Sequence, residues 1–309
     1  MGTMTDQQGG PGPQANGSHA VDVGPPPSTT SAPRQQDAGT APGLDVRLMY
    51  GFGTDRGLRR ELNEDSFLAV EPIFAVADGM GGHEAGEVAS SICVRTLEAS
   101  SIAGTRLPRV TAAELDDVIR QAHQSIRSEA GGQAGTTLTG VVLVEESGAP
   151  AWLFFNVGDS RAYRLSSGTF GQITVDHSEV QELVDLGSIT EQEARTHHRR
   201  HVVTRALGTG DDADPDFWLM PVEDRDRILL CSDGLSGEVT DEDIHLILET
   251  VPDPQDACDA LIAAALRSGA RDNVTVIVVD ASDPAGNHPG AGPGCGAAAG
   301  GRFAADGDR

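Results

Sequence analysis

Four aspartates stand where apolar runs stop or begin. Ile73-Phe-Ala-Val-Ala ends in Asp78-Gly-Met-Gly-Gly82, and Asn156-Val-Gly leads into Asp159-Ser-Arg161. Ile228-Leu-Leu-Cys-Ser ends in Asp233-Gly-Leu235, and Asp272-Asn273 stands just before the apolar run 274–279. A further acidic group, Asn63-Glu64-Asp65-Ser66, precedes another strand-like run and follows Arg56, Arg59 and Arg60. Taken singly, each is an ordinary turn signal, since Asp-Gly closes hairpins and Asp at a strand end caps a helix or solvates a loop. Taken together, they are acids from distant parts of the chain at the ends of buried strands, where they would converge at one rim. Convergent carboxylates repel unless a cation lies among them. Carboxylate and carbonyl oxygens with no His or Cys suit the hard cations Mg²⁺ and Mn²⁺. Gly79, lacking a Cβ, lets the backbone approach closely enough for a main-chain carbonyl to join the ligands. Two such ions among carboxylates generate hydroxide at neutral pH and clamp a phosphoryl group for in-line attack. The chemistry these residues suggest is metal-dependent phosphoester hydrolysis.

The elements that must position these acids fall into runs of strands and separate runs of helices. Strands are expected at 46–54, 66–70, 73–77, 137–144, 152–157, 162–165, 227–231 and 274–279, and helices at 84–98, 112–129, 180–186, 190–196, 241–249 and 254–267. The helices come in consecutive pairs, and strands meet through short turns such as Val157-Gly-Asp-Ser-Arg161. This clustering favours antiparallel sheets covered by helix pairs over a parallel βαβ sheet. Trp152-Leu-Phe-Phe155 and the run 274–279 are apolar on both faces, as strands buried on both sides must be. The expected class is therefore α+β.

Composition sets the surroundings. The chain has 309 residues and a formal net charge of −25, and all 22 of its basic residues are arginine. With no lysine there is no P-loop phosphate clamp, kinase strand lysine or Schiff base, and the acidity argues against nucleic acid or an anionic membrane surface as a partner. Residues 1–44 and 281–309 are rich in Gly, Pro and Ala with hardly any large apolar side chain, and read as disordered tails around a folded domain at 45–280. The tails carry −2 and −1, which leaves −22 on the domain. Four scattered cysteines without a Cys-x-x-Cys pair suit a reducing compartment. No apolar run has the length of a membrane span and no signal peptide is evident, so a cytoplasmic protein is expected.

Two other clusters invite a ligand. His197-His-Arg-Arg-His201 has no further partner in the sequence that would make a zinc site, and reads better as a solvated basic face. Asp212, Asp214, Asp216 and Glu223 have calcium-loop spacing, but the position that needs glycine holds Phe217, after Pro215.

The ordered set RGLRRELNEDS, ADGMGGHEAGEVAS, GTTLT, NVGDSRAY, TRALG, CSDGLS and DNVTVIVV, spread over about 45–280, resembles the bacterial type-2C, metal-dependent (PPM) serine/threonine protein phosphatases. That resemblance implies a four-layer αββα sandwich, two antiparallel sheets flanked by helix pairs, with a metal site at one rim. It implies two or three Mn²⁺ or Mg²⁺ ions. Asp78 would bridge two of them, and the Gly79 carbonyl would lie on one. Asp233, Asp272 and Glu64 would hold the second directly or through water, and Asp159 with Asp233 would hold a third. Asp65 would hold water beside the metals, and Arg60 would bind the substrate phosphate, a role that suits a guanidinium's parallel donors. A hydroxide bridging two metals would attack phosphorus with no phosphoenzyme intermediate. Met80 stands where other members carry a histidine proposed to protonate the leaving group, and His83 lies three residues on. The implied substrates are phosphoserine and phosphothreonine proteins in bacterial Ser/Thr kinase signalling, including the kinases themselves, with the phosphatase a monomer. Rival readings are a non-catalytic signalling domain on the same fold, against which the intact acids argue, and a phosphatase dedicated to one regulatory partner.

Overall fold

The structure is a computed structural model and describes residues 46–81, 85–105, 109–130, 134–210 and 213–282. Along the chain the elements are β1 (Arg47–Asp55), β2 (Asp65–Val70), β3 (Ile73–Gly81), α1 (Ala85–Ala99), α2 (Ala112–Glu129), β4 (Ala134–Thr136), β5 (Leu138–Glu146), β6 (Ala149–Val157), β7 (Arg161–Ser166) and β8 (Thr169–Gln172), followed by α3 (Glu179–Asp185), α4 (Glu191–Ala194), β9 (Asp216–Pro221), β10 (Arg227–Cys231), α5 (Asp233–Ser236), α6 (Asp241–Thr250), α7 (Pro254–Ser268) and β11 (Val274–Ser282). One sheet has the order β1-β11-β10-β7-β8, the other β2-β3-β5-β6-β9 with β4 paired to β3. Every strand pairing is antiparallel.

Three apolar layers make four structural ones. Between the sheets lie Phe74, Val76, Trp152 and Phe154 from one and Leu48, Ile228, Leu230 and Ile277 from the other. The outer face of the β3 sheet carries Ile73, Ala75 and Phe155 against Ile92 and Leu97 of α1 and Leu115 and Ile119 of α2. The outer face of the β10 sheet carries Leu229, Val276 and Val278 against Ile244 of α6 and Leu261 and Ala265 of α7. This is the αββα sandwich, and it explains why β6 and β10 have almost no polar face. Burying both faces of a strand removes roughly 25 cal/mol of apolar cost per Å² on each side. Local chemistry starts the helices. Thr111 and Glu114 form a capping box at α2, and Asp253 caps α7 ahead of Pro254.

Register decides which strand ends share a rim. Asp65 pairs with Asp78 across β2 and β3, Cys231 with Arg161 across β10 and β7, and Val274 with Asp55 across β11 and β1. The start of β2, the end of β3, the β6–β7 turn, the end of β10 and the start of β11 therefore face one way. The opposite rim holds Arg227, Asp280 and Leu165 in register.

Some expectations need correcting. The last strand runs past the expected 279 to Ser282, and Ala281 is buried and pairs with Leu48. The stretch that has calcium-loop spacing contains β9, whose Phe217 and Trp218 are buried. β4, β8 and α5 were not anticipated. The expected tails, apart from Ala281 and Ser282, and His83 lie outside the described residues.

Candidate metal centre

Asp78 sits near the end of β3, and its backbone is bracketed by the Gly-Thr-Thr segment. Thr136 Oγ1 donates to the Asp78 carbonyl at 2.9 Å, the Thr137 N–H donates to the same oxygen at 2.9 Å, and the Asp78 N–H donates to Thr137 Oγ1 at 3.1 Å. Thr137 Oγ1 also lies 2.7 Å from Ser160 Oγ, which ties the Asp78 strand to the turn that carries Asp159. Gly79 lies against two backbones. A Cβ there would fall 2.2 Å from the Gly86 carbonyl and 2.5 Å from that of Glu64, so only glycine lets β3, α1 and the Glu64 segment meet.

Asp233 and Asp272 are brought together the same way. A Cβ on Gly234 would stand 1.9 Å from the Asn273 carbonyl, so the first turn of α5 packs backbone to backbone on the entry to β11. Buried Asn273 then holds the arginine-rich loop. Its Nδ2 donates to the carbonyls of Arg56 and Leu62, both at 2.9 Å, while its Oδ1 accepts from the Glu64 N–H at 2.9 Å. Arg60 projects from this loop and meets Asp272 at 2.6 Å and Glu64 at 3.8 Å. Its side chain remains 48% exposed, against 33% for Asp272 and 12% for Glu64.

All the acids expected at the site thus reach one rim. Burial pushes the Asp78 carboxyl well above the usual range, and Asp65, Asp233, Asp159 and Asp272 push it further. Asp159 is raised by burial and then by Asp233 and Asp176, with Arg161 opposing. Asp65 is raised to about 7, chiefly by burial; hydrogen bonds from Thr275 and Ser232 oppose the rise, and Asp233 and Asp272 add to it. Ser232 Oγ donates to Asp65 Oδ2 at 2.9 Å. Glu64 is also raised by burial, with Arg60 pulling it back.

The donor set suits a hard divalent ion. It consists of five aspartates and a glutamate, all oxygen donors, and no hydrogen bond of ordinary geometry reaches the buried Glu64 Oε1 or Asp65 Oδ1. Among the described residues no three or more His, Cys, Asp or Glu side chains are drawn together closely enough to hold a metal ion by themselves. A Mg²⁺-like ion does not need a closed cage, because it keeps several waters and takes few direct carboxylates.

Several supporting residues were not singled out in the sequence. Asn273 and Ser232 lie inside quoted motifs, but their hydrogen bonds cross long sequence separations. The sequence pattern puts His201 on a solvated face, yet its Nδ1 stands 3.9 Å from Asp233 Oδ2. Within that run Arg199 is paired outside the site, to Glu179, and Arg195 just before the run pairs with Asp241. Met80 pairs with Gly135 across β3 and β4.

The sequence and the fold both have relatives. A family model described as protein phosphatase 2C matches residues 53–268. The serine/threonine protein phosphatase PstP of Mycobacterium tuberculosis is 41% identical over 244 residues, 76% of this chain and 45% of that protein. The chain thus spans under half the length of that relative. The serine/threonine phosphatase stp of Listeria welshimeri is 37% identical over 243 residues, 74% of this chain and 94% of that protein. Among solved structures, the catalytic domain of PstP in complex with two manganese ions superposes with a TM-score of 0.69 at 38% identity, covering 77% of this chain and all of that one. Stp1 from Staphylococcus aureus gives a TM-score of 0.69 at 33% identity, covering 81% and 98%.

Proposed function

The chain belongs to the protein phosphatase 2C family, and on that premise we propose that it is a Mn²⁺- or Mg²⁺-dependent phosphatase of phosphoserine and phosphothreonine proteins in bacterial Ser/Thr kinase signalling. The observation that carries this reading is the rim itself, where burial raises Asp65, Asp78 and Asp159, the neighbouring Asp233 raises all three further, and Arg60 meets Asp272 at its edge. The structural relative bound to two manganese ions supports the metal assignment.

Asp78, with the Gly79 carbonyl, would hold two ions between them, Asp233, Asp272 and Glu64 would complete the second, and Asp159 with Asp233 would hold a third. Bound there, the ions supply Lewis acidity and an ionised water near neutral pH. The protein's own part is positional. The Gly-Thr-Thr segment fixes Asp78, Asn273 fixes the loop of Glu64 and Arg60, and Ser232 fixes Asp65. Arg60 takes the phosphate oxygens through parallel N–H donors and keeps its charge at any working pH. Its neighbour Asp272 raises its pKa further through their hydrogen bond.

The purified chain should hydrolyse p-nitrophenyl phosphate and a phosphothreonine peptide when Mn²⁺ is added and stop when EDTA is added. Activity indifferent to chelator would overturn the metal-dependent reading. The substrates are phosphorylated proteins, Ser/Thr kinases among them, and the active unit is a monomer. Among the described residues no helix is long and apolar enough to cross a membrane.

A further inference from the structure

The turn that carries Asp159 is gripped from behind by one imidazole. His177 lies in the loop between β8 and α3 and is buried. Its backbone N–H donates to the Gly158 carbonyl at 2.8 Å, and the Gly158 N–H donates to its ring Nδ1 at 3.1 Å. Both polar groups of the residue before Asp159 therefore end on His177. An accepting Nδ1 leaves the proton of a neutral ring on Nε2. That nitrogen faces Asp216 Oδ2 at 3.3 Å, and Asp216 opens β9 opposite Asn156. Arg205 reaches the other oxygen of the same carboxylate at 3.4 Å. A carboxylate behind an imidazole fixes both tautomer and ring orientation.

His177 also joins this turn to the segment that brings His201 to the rim. Its carbonyl accepts from the Thr204 N–H at 2.8 Å. The next residue, Ser178, caps α3 and bridges to Val203. His177 and Ser178 together thus hold the Asp159 turn, the start of β9 and both ends of the 179–203 segment.

We propose that His177, backed by Asp216, is a positioning residue that aims the Asp159 carboxylate into the acidic rim and so sets the affinity for the ion shared by Asp159 and Asp233. The inference rests on the metal assignment of Asp159 made above. A ring that served only packing would tolerate loss of the Gly158 contact without any change in metal binding. A ring that positions Asp159 would not.

The test counts and titrates Mn²⁺ on the full chain by isothermal calorimetry and by the electron paramagnetic resonance of free Mn²⁺. Metal-free thermal unfolding reports on the fold. Asp159→Ala should lose the weakest ion. His177→Ala should weaken that ion by about tenfold or more, the range for partners that orient metal ligands, and should add nothing further in the Asp159→Ala background. His177→Asn places Oδ1 where Nδ1 accepts from Gly158, and should recover affinity to within about threefold. If His177→Ala does not fold, His177→Gln replaces it. Its amide reaches toward Asp216 without an acceptor at the Nδ1 position, so it should bind as weakly as expected for alanine. Wild-type affinity in His177→Ala or His177→Gln, or no recovery in His177→Asn, overturns the inference. An unchanged ion count in Asp159→Ala overturns the assignment of Asp159 itself, and the inference with it.

Discussion

At one rim of the sandwich Asp226 is fully buried and accepts from Trp152 Nε1, from Arg164 Nε and Nη2 and from the Glu223 N–H, at 2.8 to 3.0 Å. Beside it Arg227 forks onto Asp280 at 2.6 and 2.7 Å and donates to the carbonyls of Leu248, Val251 and Pro252. At the other rim Asp78 faces Asp65, Asp159 and Asp233; the half-exposed Arg60 meets Asp272, and Arg161, paired to Asp176, only opposes the rise at Asp159. Both rims bury carboxylates, and both pay in desolvation; even Asp280 is raised by burial, with Arg227 pulling it back. They differ in what answers the charge. Where guanidinium and indole N–H groups supply the counterpart, the acids hold the fold together. Where acids answer acids, the fold tolerates a cost that a divalent ion would remove. The first rim holds the fold together, and the second is the candidate site.

The largest expected effect lies at the acidic rim and touches function alone. Asp78→Ala should lower turnover of p-nitrophenyl phosphate by on the order of 10³-fold or more, since several kcal/mol of transition-state stabilisation would depend on the ions proposed for it. Its metal-free unfolding midpoint should not fall, because the substitution removes a raised carboxylate from among its like-charged neighbours. A variant that unfolds in step with its loss of activity would erase the distinction between the rims.

The opposite rim should show the converse. Asp226→Ala takes the acceptor from the Trp152 N–H and the carboxylate from buried Arg164, whose Nη2 keeps only its bond to the Pro221 carbonyl, and breaking a buried pair from one side costs about 3–5 kcal/mol. The urea midpoint should drop at an unchanged slope, while Mn²⁺ affinity of the folded fraction stays at the wild-type value. Metal binding lost in proportion to stability would mean that the two rims are not separate.

How far each rim could be read in advance follows the same division. The acids of the site were legible because each ends or precedes an apolar run, and their order along the chain matches a family pattern. The sandwich was legible because Trp152–Phe155 and 274–279 are apolar on both faces. β9 was not legible, because Phe217-Trp-Leu-Met is flanked by aspartates and prolines whose spacing resembles an ion loop. β8 is a four-residue edge strand containing Gly171, and α5 is a single turn, so neither has room for a periodic signal. The Arg60–Asp272 pair joins residues 212 apart, and the Arg164–Asp226 pair residues 62 apart. Such pairs leave no local pattern, and neither does the grip of His177 on Gly158. Residue types announce the chemistry, but only the fold shows which charges are answered.

Arg60 sharpens the comparison most finely, because it is a cation at the acidic rim and is also the group assigned to the substrate. Its contact with Asp272 resembles the Arg227–Asp280 pair in length, 2.6 Å in each, yet the settings differ. The Arg227 side chain is 9% exposed and that of Arg60 is 48% exposed. An ion pair that wet contributes about 1 kcal/mol or less. Arg60→Ala should therefore move the urea midpoint little, far less than Asp226→Ala. It should raise KM for p-nitrophenyl phosphate by about tenfold to a hundredfold, in line with roughly 1.5–3 kcal/mol for a hydrogen bond to a charged group, with kcat changed much less. Phosphate contact present in the ground state as well as the transition state is lost from KM first. Mn²⁺ affinity should not weaken, since the substitution removes a cation from Asp272 and Glu64 rather than a ligand from the ions. A stability loss as large as that of Asp226→Ala would place Arg60 with the structural arginines. A fall in kcat with KM unchanged would place its contact in the transition state alone.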